Sequence, residues 1–416
     1  MQQNRRFLGL LIAFFVPFSL FAQTLMQPLR GLNAGVMKEA GLTGKGVKVG
    51  VIDAGFFNAD SSKKLAKFYE EGRVKQAHDF VEEKIVNFYY LNKETHGREV
   101  MEYIGGVDGV QKGIAPDVSF YLARTEFPDK DYWKEEEFLE QALAEMYQKG
   151  VRLVNISLGY ALDHADKKEN YKPAQMDGKT SIAVRACQKY AEKGMIIVVA
   201  AGNEGGDKKW RVISTPADAK DVISVGAVGN HKLLNSILMM AKGEEVPTSL
   251  MSKASYSSIG PTQLTYLKPE ISAHSELGTS FAAPAITGLI ACMLQVDSTL
   301  SPQKVKEILQ KAGSFYPCPN NYVGYGVPDA QKVLELLQDD KSAMGNVIER
   351  TIALNHFSLI TREQTATIYE KSADAIVKKM KVIKIKKDEL KVKRKRGIVR
   401  TTVVVGKEMY ELKWVK

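Results

Sequence analysis

Short runs of β-branched and apolar residues alternate with stretches of helical periodicity through the first three quarters of this chain. The strand-like runs are residues 47–52, 118–123, 151–158, 195–201 and 222–228. Helical spacing is seen at residues 99–104, 135–149 and 181–193, whereas residues 229–253 fit neither pattern and are interpreted as an insertion. Strands that alternate with helices form parallel sheets covered by helices on both faces. The sequence therefore predicts an α/β fold with a mostly parallel central sheet.

A change of composition near residue 341 predicts a second, smaller domain. Residues 341–416 contain 19 Lys and Arg against 8 Asp and Glu, a surplus of 11 positive charges, so the rest of the chain sums to −1 of the formal net charge of +10. Residues 376–385, 398–405 and 409–415 are strand-like. We therefore predict a main domain over residues 23–340 and a basic β-rich domain over residues 341–416.

The basic run at residues 378–396 has two interpretations. It either binds an anionic surface such as nucleic acid, or it protects an exposed sheet edge with lysines. The run lacks the interleaved aromatic residues on which single strands stack, so the second interpretation is favoured and no nucleic acid partner is expected.

The first 22 residues have the pattern of a secretory signal peptide. Arg5 and Arg6 precede an apolar run at residues 7–21, and the small residue Ala22 follows it. The run is short for a membrane span, and no later stretch reaches 18 uninterrupted apolar residues. We expect an exported protein, secreted, periplasmic or attached to the cell surface, without a transmembrane segment in the mature chain. The sequence does not indicate the oligomeric state.

The three cysteines are Cys187, Cys292 and Cys318. They form no CxxC motif, and the first two fall in apolar helical patterns, so we predict that they are small buried side chains. The sequence leaves open a disulfide that joins Cys318 to another cysteine.

Four polar residues lie where predicted elements begin or end. Asp53 and Asn203 follow strands, His96 precedes a helix, and Ser280 begins an apolar helix predicted at residues 280–295. Functional groups gather at the carboxyl ends of strands in an open parallel sheet. Taken singly, each residue has a structural interpretation, such as a turn Asp or a hydrogen-bonded core His.

Taken together, these residues fit one mechanism. A serine hydroxyl needs an adjacent base, a His can supply it, and a buried Asp fixes the imidazole tautomer. A helix N-terminus favours negative charge, and an Asn side chain can donate to a developing oxyanion. The chain contains neither a GxSxG nor an HExxH motif, which argues against an α/β-hydrolase and against a zinc peptidase.

The order Asp, His, Ser and four separate motifs resemble those of the subtilisin-like serine peptidases, the subtilases. The resemblance covers residues 31–337, and its motifs are residues 51–55, residues 96–97 with 113–116 downstream, residues 200–203 and residues 278–284. It implies a subtilisin-like fold and a serine endopeptidase that hydrolyses peptide bonds in protein or peptide substrates through an acyl-enzyme intermediate. By the resemblance, Ser280 is the nucleophile, His96 the general base and acid, Asp53 its orienter and Asn203 the oxyanion donor.

The resemblance also implies a substrate-binding surface. Ser157, Leu158 and Gly159 match the segment that pairs with an extended peptide by strand addition. Gly202 and Glu204 match the lining of the primary specificity pocket, where Glu204 near the rim would favour a basic side chain. No cofactor and no metal-ligating residue are predicted; a structural calcium is possible, although no ligand motif is visible.

Two positions depart from the family pattern. Ala54 stands where Ser or Thr is usual, and Arg98 stands where Thr is usual. A cation close to the imidazole would oppose its protonation, so we expect Arg98 to point outward. These departures motivate an alternative hypothesis, a catalytically silent subtilase scaffold that binds peptides or surface partners.

Overall fold

The structure is a computed structural model of the 416-residue chain. It describes residues 31–82, 88–90, 92–108, 111–128, 132–162, 164–229, 252–338, 347–406 and 408–415. The predicted signal peptide, most of the predicted insertion and the predicted domain boundary near residue 341 lie outside the described residues.

Helices and strands alternate along the main part of the chain. The described helices are α1 (Gly35–Glu39), α2 (Ala66–Glu70), α3 (His96–Gly105), α4 (Trp133–Gln148), α5 (Ile182–Glu192), α6 (Thr279–Val296), α7 (Pro302–Ala312) and α8 (Ala330–Gln338). The strands of this part are β1 (Lys48–Asp53), β2 (Val74–Asp79), β3 (Val107–Asp108), β4 (Gln111–Lys112), β5 (Ser119–Arg124), β6 (Leu153–Ile156), β7 (Ile196–Ala200), β8 (Ile223–Gly229), β9 (Ser252–Lys253) and β10 (Ile271–His274).

The central sheet has the strand order β10-β8-β7-β6-β1-β5-β2. Every pair along this path is parallel, and β9 adds an antiparallel pair to β8. Strands β6, β7 and β8 are buried along their whole length, as expected where helices cover both faces of a sheet. The predicted α/β fold with a mostly parallel sheet is confirmed.

Two apolar clusters cover the two faces of the sheet. Helices α3 and α6 contribute to one cluster, and helices α4 and α5 contribute to the other. Helix α6 is long and apolar enough to cross a membrane, but most of it is buried inside the protein. Its apolar composition is therefore that of a core helix.

The structure tests both predictions about the cysteines, their burial and a disulfide to Cys318. Cys187 and Cys292 are buried as predicted, and burial raises the pKa of both thiols. Cys318 is half-buried, and all three cysteines are free, so the disulfide that the sequence left open is not formed.

The last part of the described chain consists of strands. They are β11 (Val347–Ile352), β12 (His356–Ile360), β13 (Thr365–Lys371), β14 (Val377–Lys384), β15 (Glu389–Lys393), β16 (Arg400–Val405) and β17 (Glu408–Trp414). Five form a sheet in the order β11-β17-β16-β13-β14, and β12 pairs with β15. Strand β14 is an edge strand with exposed Lys378, Lys379 and Lys384, as expected for an edge protected by charge.

An aromatic contact joins this β-rich part to the main part. Tyr369 of β13 is fully buried, and its ring lies 5.3 Å from the ring of Phe315 and 6.5 Å from that of Tyr322. Val377, Val404 and Met409 belong to the same apolar cluster as helix α6. One apolar cluster therefore extends across both parts, and the β-rich part has a second cluster of its own.

A buried polar contact supports the same junction. The Lys371 ammonium lies 3.2 Å from a Glu411 carboxylate oxygen, and both side chains are inaccessible to water. The ammonium also donates to the main-chain carbonyl groups of Cys318 and Pro319, each at 3.4 Å. A buried cation needs such acceptors to offset the loss of hydration.

We predict that Tyr369→Ala lowers the free energy of unfolding by about 3–5 kcal/mol, because it leaves a cavity between the two parts of the chain. Denaturant unfolding followed by tryptophan fluorescence measures this change. Val382→Ala, at an exposed position on β14, is the control and should stay within about 0.5 kcal/mol of the wild type. Equal stabilities for Tyr369→Ala and the control would contradict the shared core.

Candidate active site

The sheet order brings the predicted site residues to one edge. Strands β7, β6 and β1 are neighbours, and at their carboxyl ends lie Asn203, Ser157 and Asp53. His96 is the first residue of α3, and Ser280 is the second residue of α6. Both helix N-termini lie at this edge of the sheet, so side chains that are far apart in the sequence meet there.

A short hydrogen bond joins Asp53 to His96. His96 Nδ1 lies 2.6 Å from Asp53 Oδ1, and the carboxylate is fully buried. The main-chain N–H of Ala54 donates to the same Oδ1 at 2.8 Å. Asp53 Oδ2 is buried without a hydrogen-bond partner in the described part of the chain. The methyl group of Ala54 provides no donor beside this carboxylate, where the family pattern usually has a hydroxyl.

The Asp53 carboxylate controls the protonation of His96. Burial lowers the pKa of the imidazole, but the charge and hydrogen bond of Asp53 outweigh burial and raise this pKa to about 9. Because the pKa is raised on folding, the pair stabilises the fold below pH 6.5, and this contribution is lost as the pH rises through about 9.

Arg98 was predicted to point outward, but its side chain is half-buried. Its side chain is only 25% exposed, and its guanidinium lies 3.8 Å from carboxylate oxygens of both Glu99 and Glu102. It also donates to the main-chain carbonyl of Phe57 at 3.4 Å. Glu102 lies four residues after Arg98 on the same helix, which is the spacing at which helix side chains of opposite charge meet.

Ser280 is held against the segment that follows β6. Its hydroxyl donates to the main-chain oxygen of Ser157 at 3.2 Å, and Ser157 Oγ donates to the main-chain oxygen of Ser280 at 2.8 Å. Among the hydrogen bonds of the described residues there is none between Ser280 and His96. Both side chains line the same cavity, and contacts between nucleophile and base often tighten only when substrate binds.

Thr279 fixes the orientation of the Asn203 amide. Asn203 Oδ1 accepts from the main-chain N–H of Thr279 at 2.9 Å and from its hydroxyl at 3.1 Å. The Thr279 hydroxyl also accepts from the main-chain N–H of Gly202 at 3.0 Å. Since a main-chain N–H can only donate, the amide oxygen must face Thr279, and the amide nitrogen is left for another acceptor.

A cavity of about 340 Å³ contains nearly all the predicted site residues. Its lining includes His96, Ser157, Leu158, Gly159, Gly202, Asn203, Glu204 and Ser280. Asp53 lies behind His96 and is fully buried. Sequence reasoning missed Glu94, Glu126, Ser214 and Thr279, which line the same cavity. For Thr279 a signal was present, since it directly precedes Ser280 at the start of α6.

Two other histidines have structural settings away from this cavity. His78 on β2 lies 2.6 Å from a carboxylate oxygen of Glu145. His274 on β10 is largely covered, and burial lowers its pKa to about 4. In the described ranges, no group of three or more His, Cys, Asp or Glu side chains is arranged to hold a metal ion. The structural calcium considered from the sequence stays a prediction.

The site combines a buried Asp–His pair with a Ser at the N-terminus of a core helix, at one edge of a parallel sheet. This arrangement is typical of serine hydrolases. Comparison with known protein families and sequences identifies the family within this class. Residues 44–326 match the model of the subtilase family. Subtilisin DY of Bacillus licheniformis is 26% identical over 313 residues, which cover 71% of this chain and 95% of that relative. Serine protease AprX of Bacillus subtilis is 26% identical over 329 residues, which cover 70% of this chain and 66% of that relative.

The fold comparison agrees with the sequence comparison. The solved structure of the Clostridium perfringens CspB protease covers 76% of this chain and 99% of its own, with a TM-score of 0.55 and 16% identity. Because the family match spans more than half of its residues, the chain belongs to the subtilase family. Its enzyme class is serine endopeptidase, as the motifs predicted.

We predict that Asp53→Asn lowers the pKa of His96 from about 9 to below 6.5, because burial then acts with little opposition. NMR titration of the imidazole ring in the full-length protein measures this pKa. The exposed His356 on β12, outside the cavity, provides the internal reference signal. A wild-type His96 that titrates near 6.5 would show that the Asp53 carboxylate does not control it.

Proposed function

We propose that the chain is an exported serine endopeptidase that uses Asp53, His96 and Ser280 as a catalytic triad. The observation that carries this proposal is the 2.6 Å hydrogen bond between His96 and the buried Asp53 carboxylate, beside a cavity that Ser280 also lines. The alternative scaffold hypothesis rests on Ala54 and Arg98, neither of which removes one of these three groups.

The Asp53 contact selects the reactive tautomer of His96. A buried carboxylate accepts a hydrogen bond, so the proton of the neutral imidazole is on Nδ1 and Nε2 is the basic nitrogen. In the proposed reaction the neutral imidazole, which is the major form only above about pH 9, takes the proton of the Ser280 hydroxyl on Nε2 as Oγ attacks the peptide carbonyl. The imidazolium then gives this proton to the leaving amine, and an acyl-enzyme is formed.

Water completes the reaction by the reverse sequence. Nε2 of His96 takes a proton from a water molecule that attacks the acyl group, and the proton returns to Ser280 Oγ when the acyl bond breaks. Side chains and water therefore complete the proposed reaction, which requires no cofactor.

Asn203 is the proposed side-chain donor to the oxyanion. Its amide oxygen is occupied by Thr279, which leaves the nitrogen to donate to the negative oxygen of the tetrahedral intermediate. The N-terminus of α6 adds the positive end of an 18-residue helix beside Ser280. A fixed donor and a fixed dipole stabilise charge that appears only during the reaction.

The segment after β6 is the proposed peptide-binding strand. Strand β6 ends at Ile156, and the main-chain groups of Leu158 and Gly159 have no hydrogen-bond partner among the described residues. Unpaired main-chain groups beside a nucleophile can accept an extended peptide by strand addition. Protein or peptide substrates would bind in this way, and the predicted signal peptide supports export.

We predict that a fluorophosphonate probe labels Ser280 in the folded wild-type protein and fails to label Ser280→Ala. Mass spectrometry of the labelled peptide identifies the site, and hydrolysis of casein measures activity. Ser358→Ala, at an exposed position on β12, is the control and should be labelled and active. The silent-scaffold alternative predicts no labelling and no difference in hydrolysis between wild type and Ser280→Ala.

We also predict that Asn203→Ala lowers kcat by about 10²- to 10³-fold with little change in KM, because it removes a donor that acts mainly in the transition state. Steady-state kinetics on a fluorogenic peptide measures both constants. Asn355→Ala, at an exposed position outside the cavity, is the matched control. An unchanged kcat for Asn203→Ala would remove this residue from the proposed mechanism.

A further inference from the structure

Lys253, the last residue of strand β9, has a buried ammonium group outside the active-site cavity. Only 5% of the residue is exposed. Its Nζ donates to three main-chain carbonyl groups, those of Ala254 at 2.8 Å, Ser255 at 3.2 Å and Ser257 at 2.6 Å. An ammonium has three donors and no acceptor, so these three bonds use all of its hydrogen-bonding capacity.

The three carbonyl groups offset part of the hydration that this cation loses. Burial and the like charge of Arg211 lower the pKa of Lys253 to about 8, so the group is still largely cationic at neutral pH. A buried cation is stable only where acceptors are directed at it. All three acceptors follow Lys253 directly in the chain, and the ammonium therefore holds residues 254–258, which we call the support segment, in one compact arrangement.

The support segment is hydrogen-bonded to the main chain on both sides of Asn203. The N–H of Gly205 donates to the carbonyl oxygen of Tyr256 at 2.7 Å. The N–H of Ser258 donates to the carbonyl oxygen of Gly202 at 3.0 Å. These bonds lie two residues after and one residue before Asn203, so the support segment sets the main-chain position of the proposed oxyanion donor.

The two main-chain segments approach each other closely. The N–H of Glu204 donates to Ser258 Oγ at 3.1 Å. A Cβ atom on Gly205 would overlap the main-chain oxygen of Ser257, and this is the same oxygen that accepts from Lys253 at 2.6 Å. A residue without a side chain is needed for such an approach. A shift of this carbonyl group would therefore be transmitted directly to Gly205.

The support segment also contacts the loop before the nucleophile. The Tyr256 hydroxyl donates to the main-chain oxygen of Ser275 at 2.7 Å, and Ser275 Oγ donates to the main-chain oxygen of Gly278 at 2.8 Å. Gly278 precedes helix α6, whose second residue is Ser280. The support segment thus connects the proposed oxyanion donor with the loop that leads to the nucleophile.

We propose that Lys253 is a positioning residue for the active site: its ammonium acts as an internal cation that fixes the support segment, and this segment places Asn203 and the loop before Ser280. The proposal rests on the proposed peptidase function and adds to it a residue that does not line the cavity. Donors stabilise a tetrahedral intermediate only when they are correctly placed, and a displacement of about 1 Å can lower the rate about 10²-fold.

The test compares Lys253→Met with the wild type in the full-length protein at pH 7. Met keeps an unbranched side chain and removes the charge and all three donors. We expect kcat on a fluorogenic peptide to fall about tenfold or more and KM to stay within about threefold, because Lys253 makes no contact with the peptide-binding residues Leu158 and Gly159. An unchanged kcat, or a change in KM alone, refutes the proposal.

Two further variants separate the charge from the site of substitution. Lys384→Met, the same change at an exposed position of β14, is the matched control and should keep both constants. Lys253→Arg retains a cation with N–H donors and should recover most of the kcat that Lys253→Met loses. Equal losses for Lys253→Arg and Lys253→Met would overturn the role of the cation.

Hydrogen exchange measured by mass spectrometry provides a readout that does not depend on activity. Lys253→Met should accelerate exchange at residues 202–206 about tenfold or more and leave the amides of strand β1 unchanged. A general loss of stability would accelerate both. If wild-type Ser280 is not labelled by the fluorophosphonate probe and nothing is cleaved, the peptidase function fails and exchange alone decides: selective acceleration supports the positioning role, and uniform or absent acceleration overturns it.

Tyr256→Phe decides the question if Lys253→Met does not fold. This variant keeps the ring and removes the donor to Ser275. A lower kcat with little change in KM, or in an inactive protein faster exchange in the loop before Ser280, supports the proposal. No change in the relevant readout overturns it, since the support segment would then not control the position of the nucleophile.

Discussion

A buried line of hydrogen bonds fastens helix α6 to the carboxyl edge of the sheet. Thr287 Oγ1 donates to Asn155 Oδ1 at 2.9 Å, Asn155 Nδ2 donates to Ser157 Oγ at 2.9 Å, and Ser157 Oγ donates to the main-chain oxygen of Ser280 at 2.8 Å. Because Thr287, Asn155 and Ser157 are buried, the loss of one member would leave its neighbour unsatisfied at a cost of about 1–3 kcal/mol. The place of Ser280 relative to β6 is therefore set by the core, and the other site residues are arranged around this fixed point.

The pattern of apolar runs in the sequence predicted the buried central strands and helices but not the strands at the sheet edges. The strand predicted at residues 47–52 is β1 (Lys48–Asp53), and the helix predicted at residues 280–295 is α6 (Thr279–Val296), because buried elements have continuous apolar runs. Strand β2 was missed, since it is an edge strand whose residues are mostly half-buried and mixed in polarity. Strands β11 and β12 were also missed, because none of their side chains is fully buried and both mix apolar with polar residues.

Prediction of the active-site residues from the sequence was limited in a different way. Asp53, His96, Asn203 and Ser280 were predicted because each belongs to a local motif, and the structure brings them to one edge of the sheet. Glu126 belongs to no such motif. It reaches the cavity only because β5 lies beside β1, an adjacency that depends on tertiary structure. Its position three residues after a predicted strand was the one available sign, and every strand end shares that sign.

The contact between Tyr369 and the loop at residues 313–328 decides how firmly the β-rich part is attached to the rest of the chain. The family match ends at residue 326, inside the loop that supplies Phe315 and Tyr322 to the contact. A domain on a flexible linker makes few contacts with its neighbour, whereas Tyr369 lies in an apolar cluster that both parts of the chain build. The β-rich part is therefore a structural component of the fold rather than a detachable appendage.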